Sequence, residues 1–380
     1  MLGHRAESVT FAWMTWELAR DPLYLGYLGL AQGAPLVLFQ LLAGVLADRT
    51  SRRRLLLVTT TLTSATLVLA FGLTVAGLAR VPHLLVLAAL GSTFRAFDEP
   101  SRMSLVPQLI DRELLSNAIA LGSIPWQAGR MIGPSVTGIL IATFGGTVGF
   151  GLAAVASCTA LALYCRLDVH EDIKAGDGRR VLAQLLEGVS FVGHNFVFAS
   201  LISLALFNAL FGLSYITLLP VFADTYFGMG STGYGLLSAA HGAGSMLGTL
   251  IIATVAQQIL RPGKIMLAAA TCMGIALMLF SRSPAIGVAI PMLALTGFSS
   301  TFYLTHVTMI IQQTVPDHLR GRVLSLYSLC WNLLPLGGLI AGALAAAIDA
   351  RFAVLVGGAL VFANALVLFT SRRLRALGIP

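Results

Sequence analysis

The sequence predicts an all-α integral membrane protein with twelve transmembrane helices in two six-helix halves. Three observations predict this class. The composition is strongly apolar, since 57% of the 380 residues are hydrophobic, only 11% are charged and the mean hydropathy is +0.86. Soluble domains carry about 25% charged residues. Long charge-free runs recur along the chain with basic residues gathered between them, and the first and second parts of the chain contain similar segments.

The charge-free runs predict the individual helices, because a transmembrane helix needs about 20 apolar residues. The runs lie at 22–47, 55–79, 81–94, 114–129, 131–165, 196–223, 225–260, 265–281, 283–316, 323–348 and 352–371. We expect the run 131–165 to divide at Gly145-Gly146, and the run 225–260 to begin with a loop around 227–230. The third run extends to about residue 104 if the charges there are accepted within a helix. Residues 8–19 then supply most of a shortened first helix.

The basic residues predict the orientation. Most Lys and Arg fall in loops on the same side as the C-terminus, and only Arg20, Arg80, Arg282 and Arg351 fall in loops on the other side. Positive residues concentrate on the cytoplasmic side of membrane proteins. Both termini are therefore predicted to be cytoplasmic, in the cell's inner membrane, and this requires an even number of spans.

Internal similarity predicts the domain organisation. The segment VPQLIDRELLSNAIAL at 106–121 resembles VPDHLRGRVLSLYSL at 315–329, and the two segments hold corresponding places among the spans. We predict an N-terminal half at 1–165, a cytoplasmic linker with an amphipathic helix at 166–195, and a C-terminal half at 196–380. The linker helix either lies on the membrane surface or packs on the halves. Six-helix repeats are a transporter architecture with the substrate at the midplane.

Composition and motifs exclude several function classes. The basic residues form short clusters between apolar runs rather than a basic face, so no nucleic-acid partner is expected. The four cysteines lie in apolar segments without CxxC spacing or nearby His, so no metal or disulfide is expected. No GxxxxGK[ST], HExxH or GxSxG motif occurs. We therefore expect neither an ATP-driven pump nor an enzyme, although a membrane enzyme or lipid-handling scaffold is kept as a rival.

The loop between the second and third spans carries a family resemblance. GVLADRTSRR at 44–53 is similar to the major facilitator signature G-x-L-A-D-R-x-G-R-R, departing from it at Ser51, where the signature has Gly. The resemblance implies that this loop is a cytoplasmic gate, which holds the outward-facing state. Topology anchoring is the alternative role for its arginines. The gate residues so implied are Gly44, Asp48, Arg49, Arg52 and Arg53.

Two further segments make the resemblance more specific, because they indicate one branch of this superfamily. The fifth span contains GRMIGPSVTG, similar to the antiporter motif of drug/proton exchangers, and FRAFDEPSRMSLVPQLI at 94–110 resembles the branch with the enterobactin exporter and macrolide-type efflux proteins. The antiporter-like residues are Gly129, Arg130, Gly133, Pro134 and Gly138. The resemblance implies a monomeric transporter that exports an amphiphilic small molecule, drug-like or siderophore, in exchange for protons. No cofactor is implied, and the proton gradient is the implied energy source. Nutrient uptake and a transport-impaired, N-terminally shortened form are the alternatives.

Charges within the fourth and fifth spans are candidate coupling residues. Arg95 with Glu99, and Asp98 with Arg102, are spaced to pair at i,i+4 on one helix. Charges inside a membrane are costly and usually functional, but self-paired charges near a helix end can be purely structural. Arg130 has no close partner in sequence and is expected to face either the cavity or an acid on another span.

Glu7 is the sharpest candidate for a proton carrier. Its place depends on how much of the first span precedes it: Glu7 lies either at the cytoplasmic end of a short helix or near the midplane, where burial favours a protonatable carboxyl. Glu17 and Asp224 fall near outer helix ends and are expected to be solvated.

Several polar and aromatic residues are candidates for lining a substrate cavity. His241 and His306 lie within the eighth and tenth spans, where they are either titratable or packed through hydrogen bonds. Trp126, Asn208 and Trp331 are amphipathic residues that either line a cavity or serve in packing.

Overall fold

The computed structural model describes residues 2–109, 129, 133–134, 136–166, 190, 192–255 and 261–377. Each long element in that part of the chain is a helix. In chain order the helices are α1 (Leu2–Ala19), α2 (Pro22–Arg49), α3 (Arg52–Val75), α4 (Val81–Leu109), α5 (136–144), α6 (Gly146–Cys165), α7 (Phe196–Phe207), α8 (Tyr215–Val221), α9 (Gly230–Val255), α10 (Pro262–Ser281), α11 (Ile286–Thr314), α12 (Asp317–Trp331), α13 (Leu334–Ala347), α14 (Ala350–Phe369) and α15 (Arg372–Arg375). Two π-helical segments, π1 (Asn208–Gly212) and π2 (Phe222–Tyr226), flank α8.

Nine helical segments of this described part are long and apolar enough to cross a membrane. The all-helical membrane class is thereby confirmed. Twelve spans would also require α1, with 18 residues, α4, with 29 residues, and the segment around α5. Both α1 and α4 carry several charged residues. The count of twelve stays a prediction, as does the amphipathic helix of the linker, most of which lies outside the described residues.

Glycine and capping residues set several helix boundaries. Gly145, at φ 85°, separates α5 from α6, as the Gly145-Gly146 pair predicts, because glycine adopts a positive φ at little cost. The predicted loop before α9 is also present, between Tyr226 and Gly230. At the start of α2, the Asp21 side chain accepts a hydrogen bond from the Leu23 amide at 2.8 Å, and Pro22 is the first helical residue.

The seventh and eleventh spans differ from the single uniform helices that their runs predict. Between Phe196 and Tyr226 the chain passes through π1 and π2, with an interruption at Leu213–Ser214. The eleventh span is broken between α12 and α13. Pro335 lacks an amide hydrogen and disfavours helical geometry in the residue before it, which accounts for a break just upstream of it.

Packing follows two similar patterns on either side of the linker. Among residues 1–165, α3 packs on α4 and α6, and α2 packs on α4. Among residues 196–380, α10 packs on α11 and α14, and α9 packs on α11. Among the described helices, the most extensive contact between the two parts joins α2 to α13.

Candidate functional site

A buried ion pair joins α1 to α4. The side chain of Glu7 is only 4% exposed, and its Oε2 accepts a hydrogen bond from Nη1 of Arg95 at 3.0 Å. The same Nη1 lies 2.5 Å from Nδ1 of His4, and Nη2 donates to Ser92 Oγ at 2.9 Å. Two opposite charges are therefore held together among apolar helices, where either charge alone would be strongly destabilising.

A cavity of about 240 Å³ lies beside this pair, between α1, α3, α4 and α6. Asp98 lines it, accepting a hydrogen bond from Thr60 Oγ1 at 3.3 Å, and its carboxylate lies 3.9 Å from Arg102 Nε. Tyr164 of α6 lines the same cavity. The cavity is thus surrounded by both acidic and basic groups of α1 and α4.

The structure brings most of the predicted charges of these two helices together. The predicted pair of Asp98 with Arg102 is present. Arg95 reaches across to Glu7 of α1; the side chain of its predicted partner Glu99 lies outside the described residues. Sequence reasoning did not single out His4. Its i,i+3 spacing from Glu7 was the available signal.

The loop of the family signature consists of only two residues, Thr50 and Ser51. Ser51 has φ −58°, so this turn needs no positive φ, and its hydroxyl accepts a hydrogen bond from the Arg54 amide at 3.2 Å. Serine in place of glycine therefore serves as the N-cap of α3. Arg53 Nη2 donates to the carbonyl oxygen of Cys165 at 3.1 Å and so ties α3 to the end of α6.

Several predicted site residues cannot be placed at side-chain level. Gly44, Asp48 and Arg49 belong to the end of α2, and Arg52 opens α3. The side chains of Asp48, Arg49 and Arg52 lie outside the described part of the chain. Trp126 and Arg130 lie wholly outside it. The gate role of this loop therefore stays a prediction.

Small residues mark the places where the two parts of the chain cross. A Cβ added to Gly138 of α5 would lie 2.7 Å from both the Cα of Gly235 and the carbonyl oxygen of Ser231, both in α9. A Cβ added to Gly342 of α13 would lie 3.0 Å from the Cα of Gly26 in α2. Glycine lets helix backbones approach this closely. The antiporter-like motif therefore contributes Gly138 to a crossing between the two parts.

Three other residues of that motif lie in the described part of the chain. Gly129, Gly133 and Pro134 are helical and buried. A Cβ added to Gly133 would lie 2.8 Å from Cβ of Arg5, so this glycine allows α1 to approach.

An ion pair lies where α1 ends. Asp224 of π2 pairs with Arg20 and also accepts a hydrogen bond from Trp16 Nε1 at 2.9 Å. The Arg20 guanidinium lies 5.8 Å from the centroid of the Trp16 ring. The expectation that Asp224 is merely solvated was wrong, because this carboxylate links the two parts of the chain and is only 23% exposed.

Replacement of Asp224 by Asn should loosen this contact. The Arg20 side chain is 57% exposed, and an ion pair at a surface contributes about 0.2–1 kcal/mol. We therefore expect the population that is open at this end to rise about 1.5- to 5-fold. Double electron–electron resonance between spin labels at the exposed positions Glu17 and Thr225 would measure it. Asp349→Asn is the control. Asp349 accepts a hydrogen bond from Tyr226, and both residues belong to the part of the chain after the linker. An unchanged distance distribution in Asp224→Asn would contradict the expectation that Asp224 holds the two parts of the chain together at this end.

The remaining predicted residues lie apart from the charge cluster. Nδ1 of His241 lies 2.7 Å from the hydroxyl oxygen of Tyr215. Asn208 is 1% exposed and opens π1. Trp331 ends α12, with its ring 6.4 Å from that of Tyr327. His306 is fully buried in α11. All four belong to the part of the chain after the linker.

Known proteins resemble this chain over most of its length. It is 28% identical over 358 residues to the multidrug efflux pump Tap of Mycolicibacterium fortuitum, which covers 90% of this chain and 86% of Tap. It is 25% identical over 352 residues to the staphyloferrin A transporter of Staphylococcus aureus, with coverage of 89% and 85%. Identity to the enterobactin exporter EntS of Escherichia coli is 28% over 304 residues, covering 76% and 68%.

Solved structures share the fold. A bacterial homologue of the human lysosomal transporter Spinster, inward-facing and occupied, superposes with a TM-score of 0.74 at 16% identity, over 98% of this chain and 94% of that protein. The nucleoside transporter NupG gives 0.72 at 14% identity, over 97% and 98%. The transmembrane secretion effector family matches residues 1–377. The chain is therefore a multi-pass membrane transporter, not an enzyme, and belongs to the transmembrane secretion effector family of the major facilitator superfamily.

Proposed function

We propose that this chain is a secondary active exporter that exchanges an amphiphilic small molecule, drug-like or siderophore, for protons by alternating access. Export is the function stated in the names of the relatives Tap and EntS. The observation that carries proton coupling is the buried pair of Glu7 and Arg95. The proposed transporter is a monomer in the inner membrane with both termini in the cytoplasm, and the proton gradient is its only energy source.

The proposed architecture is two six-helix halves, at 1–165 and 196–380, joined by the linker at 166–195. The repeated packing supports it: α3 holds α4 and α6 in the first part as α10 holds α11 and α14 in the second. The twelve proposed spans include α1, α4 and the segment of α5.

Alternating access is supported by where the two parts meet. In α2 the glycines that contact α13 lie in the first half of the helix, which begins at Pro22. The pair of Arg20 with Asp224 lies at the same end. The proposed orientation makes this the outer face. The molecule is therefore closed at its outer face in this state, and transport requires these contacts to break.

Proton coupling follows from the chemistry of the Glu7 and Arg95 pair. A carboxylate that gains a proton no longer attracts the guanidinium, so protonation of Glu7 would release α1 from α4. A bound proton would then shift the equilibrium between two arrangements of α1 and α4. The adjoining cavity gives space for such a movement.

Accumulation assays in cells expressing the chain would test this function. Ethidium, a macrolide and a catecholate siderophore are offered with and without a protonophore, beside cells expressing Asp48→Asn at matched levels. We expect lower accumulation of at least one compound, abolished by the protonophore and by the substitution. Higher accumulation than in empty-vector cells would instead support an uptake permease, and export that is insensitive to the protonophore would reject proton coupling.

A further inference from the structure

Three aromatic rings form a ladder along one face of α11. The rings of Phe298 and Phe302 have centroids 4.7 Å apart with their planes at 34°, and the Phe302 and His306 rings stack at 5.9 Å and 18°. The three residues follow each other at i,i+4 spacing, so they share one face of the helix. We call Phe298, Phe302 and His306 the aromatic ladder.

Other helices cover the remaining sides of α11, which packs on α7, α9, α10 and α12. Gly297 meets the backbone of α9 at His241, and the hydroxyl of Tyr303 donates to the carbonyl oxygen of Leu204 in α7. On the ladder's own face the phenyl rings are only half-buried, and Thr305, on the same side, is exposed. The Phe298 and Phe302 rings are therefore the part of this face that the described helices leave partly open, and His306 lies buried beside them.

His306 gives this face a specific hydrogen-bonding group. Its Nδ1 lies 2.6 Å from the carbonyl oxygen of Phe302, which can only accept, so Nδ1 carries the hydrogen. Nε2 is then an acceptor on the opposite side of the ring. The residue is 0% exposed, and Nε2 has no hydrogen-bond partner among the described residues. A buried acceptor of this kind is costly unless a donor reaches it.

We propose that the aromatic ladder binds the transported molecule, and that this molecule is a planar aromatic compound with an N–H or O–H donor. The phenyl rings would stack on its plane, and Nε2 of His306 would accept its hydrogen. This inference rests on the proposed transport function and adds a substrate class to it. In the proposed site, this face of α11 borders the space between the two halves.

Binding to the purified full-length chain tests the site without any proton gradient. The probe is proflavine, a planar fluorescent acridine with amino groups; tetraphenylphosphonium, non-planar and without an N–H or O–H donor, is the comparison ligand. The variants are Phe302→Leu and His306→Phe, which keeps a ring but removes the acceptor. Phe352→Leu is the matched control, since Phe352 is 39% exposed on α14.

We expect Phe302→Leu to weaken proflavine binding about tenfold, because one aromatic stacking contact has an effect of this order. His306→Phe should weaken it about fivefold, as for loss of one hydrogen bond, and leave tetraphenylphosphonium binding unchanged. Phe352→Leu should bind as the unaltered chain does. Absence of proflavine binding to the unaltered chain, or equal affinity in all variants, would overturn the site. Ladder-dependent binding in a chain that exports nothing would overturn only the transport function.

Discussion

Replacement of Glu7 by Gln is expected to reduce proton-driven export at least tenfold. Gln keeps the shape of the side chain but cannot exchange a proton, so the pair with Arg95 can no longer respond to pH. Protonophore-sensitive ethidium efflux from proteoliposomes measures this loss. Glu17→Gln is the matched control, because Glu17 is exposed on the same helix. Full protonophore-sensitive efflux in Glu7→Gln would reject Glu7 as the proton carrier.

A second variant separates coupling from folding. Removing one partner of a buried ion pair leaves the other charge unpaired and costs about 3–5 kcal/mol, so Glu7→Gln alone is also expected to lower the unfolding temperature. The double variant Glu7→Gln with Arg95→Gln removes both charges. We expect it to recover much of the thermal stability while export stays absent. Recovery of export in the double variant would show that the pair is only structural.

Replacement of Gly138 by Val is expected to slow transport strongly while leaving the protein folded. A Cβ at this position would lie 2.7 Å from both Gly235 Cα and the Ser231 carbonyl oxygen, so α5 and α9 could not approach as they do here. Overpacking of this kind costs about 1–3 kcal/mol. The ratio of closed to open molecules at this end should therefore fall about 5- to 150-fold, and the efflux rate should fall as the closed state is lost.

The control for this variant is Gly72→Val in α3. Apart from its chain neighbours and the backbone of α3, no described atom lies within 4 Å of a Cβ added at Gly72. The change in helix propensity is nevertheless the same as at Gly138. Efflux and unfolding temperature are measured for both variants. Normal efflux in Gly138→Val would mean that closure at this crossing is not part of the transport cycle.

The sequence predicts local features of this chain better than contacts between distant segments. Helix extents follow from charge-free runs, the break at Gly145 follows from glycine, and the pair of Asp98 with Arg102 follows from helical spacing. The ion pair of Arg95 with Glu7 was missed because 88 residues separate them, and spacing within one helix favoured Glu99.

The contact of Arg20 with Asp224 was missed for the same reason, since 204 residues separate them. A charge near the end of a span looks solvated until the partner helix is known. The break in the eleventh span, in contrast, had a signal in Pro335, but prolines also occur within α2 and α11, which continue through them. Proline alone therefore does not identify a break.

Arg20 is the one described non-glycine residue with a positive φ, 52°. A left-handed conformation costs a residue with a Cβ about 1–2 kcal/mol, whereas glycine adopts it freely. Arg20→Gly would therefore relax the backbone but remove the guanidinium that binds Asp224. Selection of this protein for heat resistance alone would favour that replacement, and would enrich stable variants that have lost the ion pair between α1 and π2.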